Sequence, residues 1–165
     1  MRYLLLIAAA LALISCGSSS SKFKRYNGPQ VTQVLVDKTA RKMWLLHGTK
    51  ALRSYDVDLG FAPRGHKFQE GDGRTPEGVY RIDRRNPNSA YHLSIGISYP
   101  NNADRAKARA AGVSPGGDIF IHGGPRLRKN KGKPDWTAGC ISVTNKEMEE
   151  IYAMVQDGTP ILIKP

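Results

Sequence analysis

Short runs of β-branched and apolar residues, each bounded by turn-forming residues, are the feature that most constrains what this chain can fold into. Thr32–Asp37 and Lys42–His47 flank a polar turn, which predicts a β-hairpin. Tyr55, Val57 and Leu59 then alternate with polar residues, which predicts a third strand buried on one face. These patterns favour a mainly β structure.

More strands and two short helices complete the predicted framework. Further strands are predicted at Val79–Asp83, Tyr91–Ile95, Ile119–Ile121 and Ile161–Lys164. Phe61–Thr75 is rich in Gly, Pro and charge, which predicts a long loop. An Ala- and Arg-rich stretch, Asn102–Ala111, predicts a helix that ends at Gly112. Thr144 and Glu147 have the spacing of a capping box, which predicts a second helix. The chain shows no internal repeat and is short for two domains.

His122 and Cys140 are the residues that suggest chemistry. A protonated thiol is a poor nucleophile, and it becomes a strong one when an imidazole takes its proton and backbone N–H groups hold the oxyanion. His122 follows the apolar run Ile119–Ile121, and Cys140 follows Gly139, where a tight backbone can present amide groups to a developing charge. The pair therefore predicts a cysteine nucleophile with a histidine base.

The residues around this pair resemble the signature of the L,D-transpeptidase (YkuD-like) catalytic domain. A His-Gly pair at His122–Gly123 precedes a loop, and the signature continues as Thr137-Ala138-Gly139-Cys140-Ile141. Gly73–Tyr80 resembles the family's entry to a central strand, and Asp157–Ile161 resembles its closing strand. The similarity runs from about Val31 to Pro165. It implies a single L,D-transpeptidase-like β-sandwich domain over residues 31–165, with one or two short helices.

The resemblance also implies a mechanism. The Cys140 thiolate would attack the third residue of a tetrapeptide stem, D-alanine would leave, and an amine would resolve the thioester into a 3→3 cross-link. His122 would move the protons, the Gly123 carbonyl would orient the imidazole, and the amides of Ala138, Gly139 and Cys140 would form the oxyanion hole. No metal or organic cofactor is required. A hydrolase on the same scaffold, or a catalytically idle wall-binding lipoprotein, stays open as an alternative.

Four residues are expected to contact the substrate: Thr137, Arg126, Tyr91 and Trp136. Each has a structural alternative, since Thr137 could serve the turn, Tyr91 a core strand, Trp136 the loop and Arg126 the solvated surface. The chain also departs from the family pattern. Ala138 stands where many members have His, and Ser142 stands where many have Arg or Asn.

The amino terminus predicts export. Met1–Ser15 carries Arg2 and an apolar run too short to span a bilayer permanently, which is typical of a signal peptide. Leu13-Ile14-Ser15-Cys16 matches a bacterial lipobox, so Cys16 is predicted to be lipidated and residues 16–30 to hold a flexible tether. Gly17 favours sorting to the outer membrane of a diderm host. The alternative is an ordinary signal peptide with an incidental cysteine.

Charge and cysteine usage limit the partners. The net charge is +11, but the basic residues are scattered rather than clustered with aromatics, so nucleic acid is not expected. Peptidoglycan stem peptides, which are rich in carboxylates, fit better, and the protein is expected to be a monomer on the periplasmic side of the envelope. A Cys16–Cys140 disulfide would explain neither the lipobox nor the loop. The histidines show no spacing typical of a zinc site.

Overall fold

The computed structural model describes residues 21–125 and 130–165. Within them the chain forms eight strands and two helices. The strands are β1 Gln33–Asp37, β2 Lys42–His47, β3 Lys50–Asp56, β4 Gly78–Asn86, β5 Ser94–Ile97, β6 Phe120–His122, β7 Ile141–Ser142 and β8 Pro160–Lys164. The helices are α1 Asn102–Ala110 and α2 Asn145–Met154. The prediction of a mainly β domain with two short helices is confirmed.

The strands form one curled sheet in the order β3-β2-β1-β8-β4-β5-β6-β7. Strand β4 lies in the middle of this sheet and joins its two parts: residues 78–81 pair with β8, and residues 82–86 pair with β5. The predicted hairpin of β1 and β2 is antiparallel as expected, whereas β1 pairs with β8, and β6 with β7, in parallel. The parallel register places His122 opposite Ser142, and Cys140 directly precedes Ile141, which lies opposite Ile121. Because the paired region is only two residues long, the predicted nucleophile and base lie close together on neighbouring strands.

The core forms where the sequence pattern places apolar residues on one face. Val34 and Val36 of β1, with Met43 and Leu45 of β2, are completely buried. Helix α2 buries Met148, Ile151 and Met154 and packs against β5 and β6. Burial of apolar area of this kind is the main stabilising contribution to the fold.

Several predicted strands have different bounds in the structure, among them β4, which continues beyond the predicted Asp83 to Asn86. The strand predicted at Tyr91–Ile95 is wrong for residues 91–93, because His92 has φ +73°, a left-handed conformation that ends regular strand pairing. Strand β3 stops at Asp56, although Val57 and Leu59 remain buried as predicted. Beyond β3 the chain forms two isolated bridges, Asp58 with Ser142 and Gly60 with Thr137, to residues that flank Cys140 in the sequence.

Residues 22–26, which fall in the predicted tether, contact the domain surface. The Lys22 ammonium donates to the Pro87 carbonyl at 2.7 Å, and the Lys24 ammonium lies 3.3 Å from the Glu149 carboxylate. The predicted signal peptide and the predicted lipidation site Cys16 lie outside the described residues. Among the residues that are described, no helix has the length and hydrophobicity needed to cross a membrane.

The capping box of α2 generates a stability prediction. The Thr144 hydroxyl accepts from the Glu147 N–H at 3.3 Å, and the Glu147 carboxylate accepts from the Thr144 N–H at 2.8 Å. Thr144→Ala should lower the free energy of unfolding by about 0.5–2 kcal/mol, because the first turn of the helix loses its side-chain acceptor. Urea denaturation measures this change. Thr144→Ser keeps the acceptor and should be close to wild type, and equal stability of all three proteins would contradict the prediction.

Candidate active site

A cavity of about 390 Å³ gathers most of the residues predicted from the sequence. Its walls include Cys140, His122, Thr137, Ala138, Tyr91 and Trp136. The predicted substrate contact Arg126 lies outside the described residues. The remaining predicted residues, Gly123 and Gly139, do not line the cavity, and their backbone contacts are described below.

Thr137 organises the turn that carries Cys140. Its hydroxyl donates to the Cys140 carbonyl at 2.7 Å and accepts from the Gly139 N–H at 3.2 Å. Its own backbone pairs with the segment after β3, donating to the Leu59 carbonyl at 3.1 Å and accepting from the Phe61 N–H at 2.9 Å. The geometry of Thr137 therefore favours the turn-holding alternative over substrate contact.

Gly139 fits its position because it has no side chain. It adopts φ +135°, and a Cβ there would lie 2.7 Å from the Arg74 carbonyl oxygen. A Cβ on Gly60 would meet the Gly73 carbonyl at 2.0 Å and the Gly139 Cα at 3.0 Å. Backbone from three separate parts of the chain therefore packs together beneath Cys140. The start of the Gly73–Tyr80 motif therefore packs directly against the turn that carries Cys140.

Cys140 is half-buried and its sulfur contacts two backbone groups. Sγ accepts from the Phe120 N–H at 3.4 Å and donates to the Asp118 carbonyl at 3.5 Å. Burial raises the pKa of the thiol, and the Asp118 carboxylate raises it further, while the Phe120 N–H lowers it by less than burial raises it. Cys140 is therefore a neutral thiol at neutral pH in the free protein.

His122 is held in one tautomer. Its Nδ1 lies 2.7 Å from the Gly123 carbonyl, which only accepts, so Nδ1 carries the proton and Nε2 has a free lone pair. The side chain is buried against the rings of Tyr91 and Trp136, whose centroids lie 4.5 and 5.5 Å from the imidazole and 5.7 Å from each other. Burial lowers the pKa of His122, with the Gly123 bond opposing in part, so the ring is neutral at neutral pH. Within the described residues no hydrogen bond joins the imidazole to Cys140 Sγ.

Gly123 is fixed on several sides. Its N–H donates to the Tyr91 carbonyl at 3.1 Å, and a Cβ there would lie 2.5 Å from the Asn145 side-chain oxygen. The Ser142 hydroxyl lies 3.5 Å from the Gly123 carbonyl, the same oxygen that binds His122. Ser142, one of the departures from the family pattern, thus reaches the group that orients the imidazole.

The candidate oxyanion donors differ in availability. The Gly139 N–H already donates to the Thr137 hydroxyl. The N–H groups of Ala138 and Cys140 have no acceptor among the residues that the structure describes. Free backbone donors next to a nucleophile are what a developing oxyanion requires.

The turn that contains Tyr91 and His92 is held by contacts of residues that were not predicted from the sequence. His92 Nε2 lies 2.9 Å from the Glu149 carboxylate of α2, and the Lys22 ammonium lies 3.3 Å from the His92 carbonyl. Burial raises the pKa of Glu149, but the hydrogen bonds from His92 and Lys24 outweigh this effect and lower it. No motif in the sequence links these residues, because they belong to separate segments that meet only in the fold.

The described part of the chain contains no group of three His, Cys, Asp or Glu side chains arranged to hold a metal.

Comparison with known families decides what kind of domain this is. The model of the "YkuD: L,D-transpeptidase catalytic domain" family matches residues 32–163. The chain belongs to this L,D-transpeptidase family. It is therefore a peptidoglycan-related domain, and the resemblance stated from the sequence motifs is confirmed.

Relatives of this L,D-transpeptidase domain include a curated protein and solved structures. It is 29% identical to the protein named "Putative L,D-transpeptidase YafK" of Escherichia coli K12, over 94% of this chain and 64% of that protein. It is 28% identical to the helical cell shape determining protein Pgp2 from Campylobacter jejuni, with a TM-score of 0.63, covering 85% of this chain and 50% of Pgp2. Bd1075 of Bdellovibrio bacteriovorus is 26% identical, with a TM-score of 0.57, over 86% of this chain and 50% of Bd1075. The chain thus spans under two thirds of each relative's length.

The fold is shared more widely than the sequence. An L,D-transpeptidase from Mycobacterium smegmatis is 16% identical, with a TM-score of 0.54, over 82% of this chain and 59% of that one. At this identity the likeness concerns the fold alone.

The neutral thiol and imidazole generate a pH prediction. In a Cys16→Ser background, alkylation of Cys140 by iodoacetamide should keep rising beyond about pH 9, because a thiol with a raised pKa gains thiolate only in the alkaline range. Asp118→Asn should move the profile to lower pH, because the neighbouring negative charge is removed. Alkylation rates measured by mass spectrometry test both statements. A plateau already reached near neutral pH would indicate a resting thiolate–imidazolium pair and contradict them.

Proposed function

We propose that this domain is a cysteine-dependent acyltransferase that acts on the stem peptides of peptidoglycan. The observation that carries the proposal is the arrangement of His122: its Nδ1 is tied to the Gly123 carbonyl, which leaves Nε2 as a base in the cavity that Cys140 lines. A protein that only binds the cell wall has no use for a thiol placed in this way. The intact pair therefore disfavours the idle wall-binding alternative.

The first half-reaction forms a thioester. When a stem peptide enters, Nε2 of His122 accepts the thiol proton and Cys140 Sγ attacks the carbonyl carbon of the third stem residue. The amides of Ala138 and Cys140 stabilise the oxyanion. The C–N bond to the terminal D-alanine then breaks, and His122 returns its proton to the departing amine. Because no hydrogen bond joins the imidazole to Sγ among the described residues, substrate binding must bring the two groups into hydrogen-bonding contact before proton transfer.

The second half-reaction releases the acyl group. An amine attacks the thioester carbon, the C–S bond breaks, and the amine proton passes through His122 back to sulfur. If the amine comes from a neighbouring stem, the product is a 3→3 cross-link. If water attacks instead, the product is a shortened stem, and the enzyme is a hydrolase. The relative Pgp2 is described as determining helical cell shape, and we propose that this domain likewise remodels the cell wall.

The site of action follows from the amino terminus. We propose that Cys16 is lipidated and anchors the protein on the periplasmic side of the envelope, at the outer membrane if the host is diderm. Lys22 contacts the domain, so only residues 16–21 separate the anchor from it. Even fully extended, six residues span about 20 Å. The active site would then lie within a short distance of the membrane. We also propose that the protein is a monomer and that it does not bind nucleic acid.

The nucleophile is tested with purified protein and muropeptides. Cys140→Ala should abolish product formation and Cys140→Ser should nearly do so, because a hydroxyl is far harder to deprotonate than a thiol. His122→Ala should lower turnover by about 10²–10⁴-fold. Mass spectrometry of the products separates cross-linked from shortened stems, and urea denaturation confirms folding. Full activity of folded Cys140→Ala would remove the acyl-enzyme mechanism.

The anchor is tested in cells. Cys16→Ser should move the protein from the membrane fraction to the soluble periplasmic fraction, because the thiol that carries the lipid is lost. Activity of the released protein on soluble muropeptides should equal that of wild type, since Cys16 has no part in the proposed chemistry. A Cys16→Ser protein that stays in the membrane fraction would show that the lipobox prediction is wrong.

A further inference from the structure

A buried ion pair lies in the loop behind Cys140 and has no role in the chemistry proposed above. The Lys67 ammonium lies 2.9 Å from the Asp72 carboxylate, and the two side chains are only 4% and 11% exposed. We call Lys67 and Asp72 the loop ion pair. Because desolvation offsets much of the attraction between two buried charges, such a pair is weak evidence for added stability, and its place in the fold is more informative.

The Asp72 carboxylate organises the loop around the ammonium. It accepts from the backbone N–H groups of Phe68, Gln69 and Arg74 at 2.8, 3.1 and 3.0 Å. Burial raises the pKa of Asp72, but these hydrogen bonds and the one from Lys67 outweigh burial and lower it to about 2. Asp72 is therefore a carboxylate at all but strongly acid pH, and it holds the ammonium in one place.

Arg74 connects the loop ion pair to the turn that carries Cys140. The same oxygen of Asp72, Oδ1, accepts from the Lys67 ammonium and from the Arg74 N–H. The Arg74 carbonyl oxygen in turn lies 2.7 Å from the position that a Cβ on Gly139 would take. A single residue therefore separates the ion pair from the backbone next to the nucleophile.

The loop also contacts the segment on the other side of the nucleophile. The Tyr99 hydroxyl lies 3.4 Å from the Lys67 carbonyl and 3.1 Å from the Pro115 carbonyl, so it bridges the loop and the segment that leads into β6. That segment continues to Asp118, whose carbonyl accepts from the Cys140 thiol at 3.5 Å. The loop with the ion pair therefore packs against both backbone segments that border the sulfur.

Two charged side chains act on the Cys140 thiol from different parts of the fold. Burial raises the pKa of Cys140 most, the Asp118 carboxylate raises it further, and the Lys67 ammonium lowers it. The Asp118 side chain is 92% exposed, so water screens its charge, whereas the buried ammonium is screened much less. His122 is neutral at neutral pH and adds no charge of its own.

We propose that Lys67 is a positioning residue for the acyl transfer, whose buried ammonium favours the negative charge that forms at Cys140, and that Asp72 sets the strength of this effect. The proposal rests on the proposed function for its part in the reaction. When His122 takes the thiol proton, the sulfur becomes negative, and the charge then moves to the carbonyl oxygen of the substrate. Lys67 keeps its proton throughout and favours both charged states over the neutral resting state.

The two members of the ion pair should act on the thiol in opposite directions. In the Cys16→Ser protein, Cys140 is the one thiol. Lys67→Met should move the pH profile of its alkylation by iodoacetamide to higher pH, because a positive charge near the sulfur is lost. Asp72→Asn should move the profile to lower pH, because the ammonium loses the charge that opposes it. At a fixed pH on the rising part of the profile, each rate should change by about three- to tenfold, as expected for one charge in a poorly solvated surrounding.

A matched control separates this charge effect from loosening of the loop. Lys38 also has a buried ammonium, which donates to the Gly65 and Thr75 carbonyls at 2.7 and 3.0 Å and to the Glu77 carboxylate at 2.6 Å. Lys38→Met should lower stability in urea, because the same loop loses these bonds, and should leave the alkylation profile in place. Urea denaturation also establishes that each variant is folded.

The outcomes separate this proposal from the proposed function. Shifts in the same direction for Lys67→Met and Asp72→Asn, or an equal shift for Lys38→Met, would overturn it. If Lys67→Met does not fold, Asp72→Asn decides alone, and a profile that stays in place or moves to higher pH overturns the proposal.

Turnover provides a second readout. With muropeptides, Lys67→Met should slow thioester formation and leave KM close to that of wild type, since Lys67 does not line the cavity. A raised KM with an unchanged rate of thioester formation would overturn the proposal. Wild-type protein that shows the opposite alkylation shifts in its variants but never forms a thioester would overturn the proposed function, and not the effect of Lys67 on the thiol.

Discussion

The close backbone contact beneath Cys140 is the constraint on which the site depends. Gly139 lies against the Arg74 carbonyl, and Gly60 fits between Gly73 and Gly139, at distances that leave no room for a Cβ. Thr137 then closes the turn with two hydrogen bonds from one hydroxyl. Because these contacts fix the backbone, the amides on either side of Gly139 can face the cavity without reorganising when charge develops.

Burial gives the site a neutral resting state. The thiol pKa is raised and the imidazole pKa is lowered, both chiefly by desolvation, so in the free protein the thiol keeps its proton and the imidazole is neutral and able to accept one. The rings of Tyr91 and Trp136 cause much of this burial around His122. A half-buried neutral thiol is also less open to oxidation than an exposed thiolate.

The amino-terminal segment and the Tyr91 turn connect the site to the rest of the chain. Lys22 contacts the His92 carbonyl, and Lys24 shares Glu149 with the His92 ring. Tyr91, the neighbour of His92, packs on the imidazole of His122. The residues closest to the proposed anchor are therefore part of the same contact network as the base, and the active site has a defined orientation relative to the point where the chain leaves the domain.

The sequence by itself determined the local structure and the reactive pair. Apolar periodicity, the Thr144 capping box and the cysteine motif act over a few positions, so the β1–β2 hairpin, both helices and the family were predictable. Only the tertiary structure decided what surrounds the pair. The Arg74 carbonyl under Gly139 and the His92–Glu149 contact join segments far apart in the chain. Strand pairing and close packing place them together, and no spacing within one segment encodes that placement.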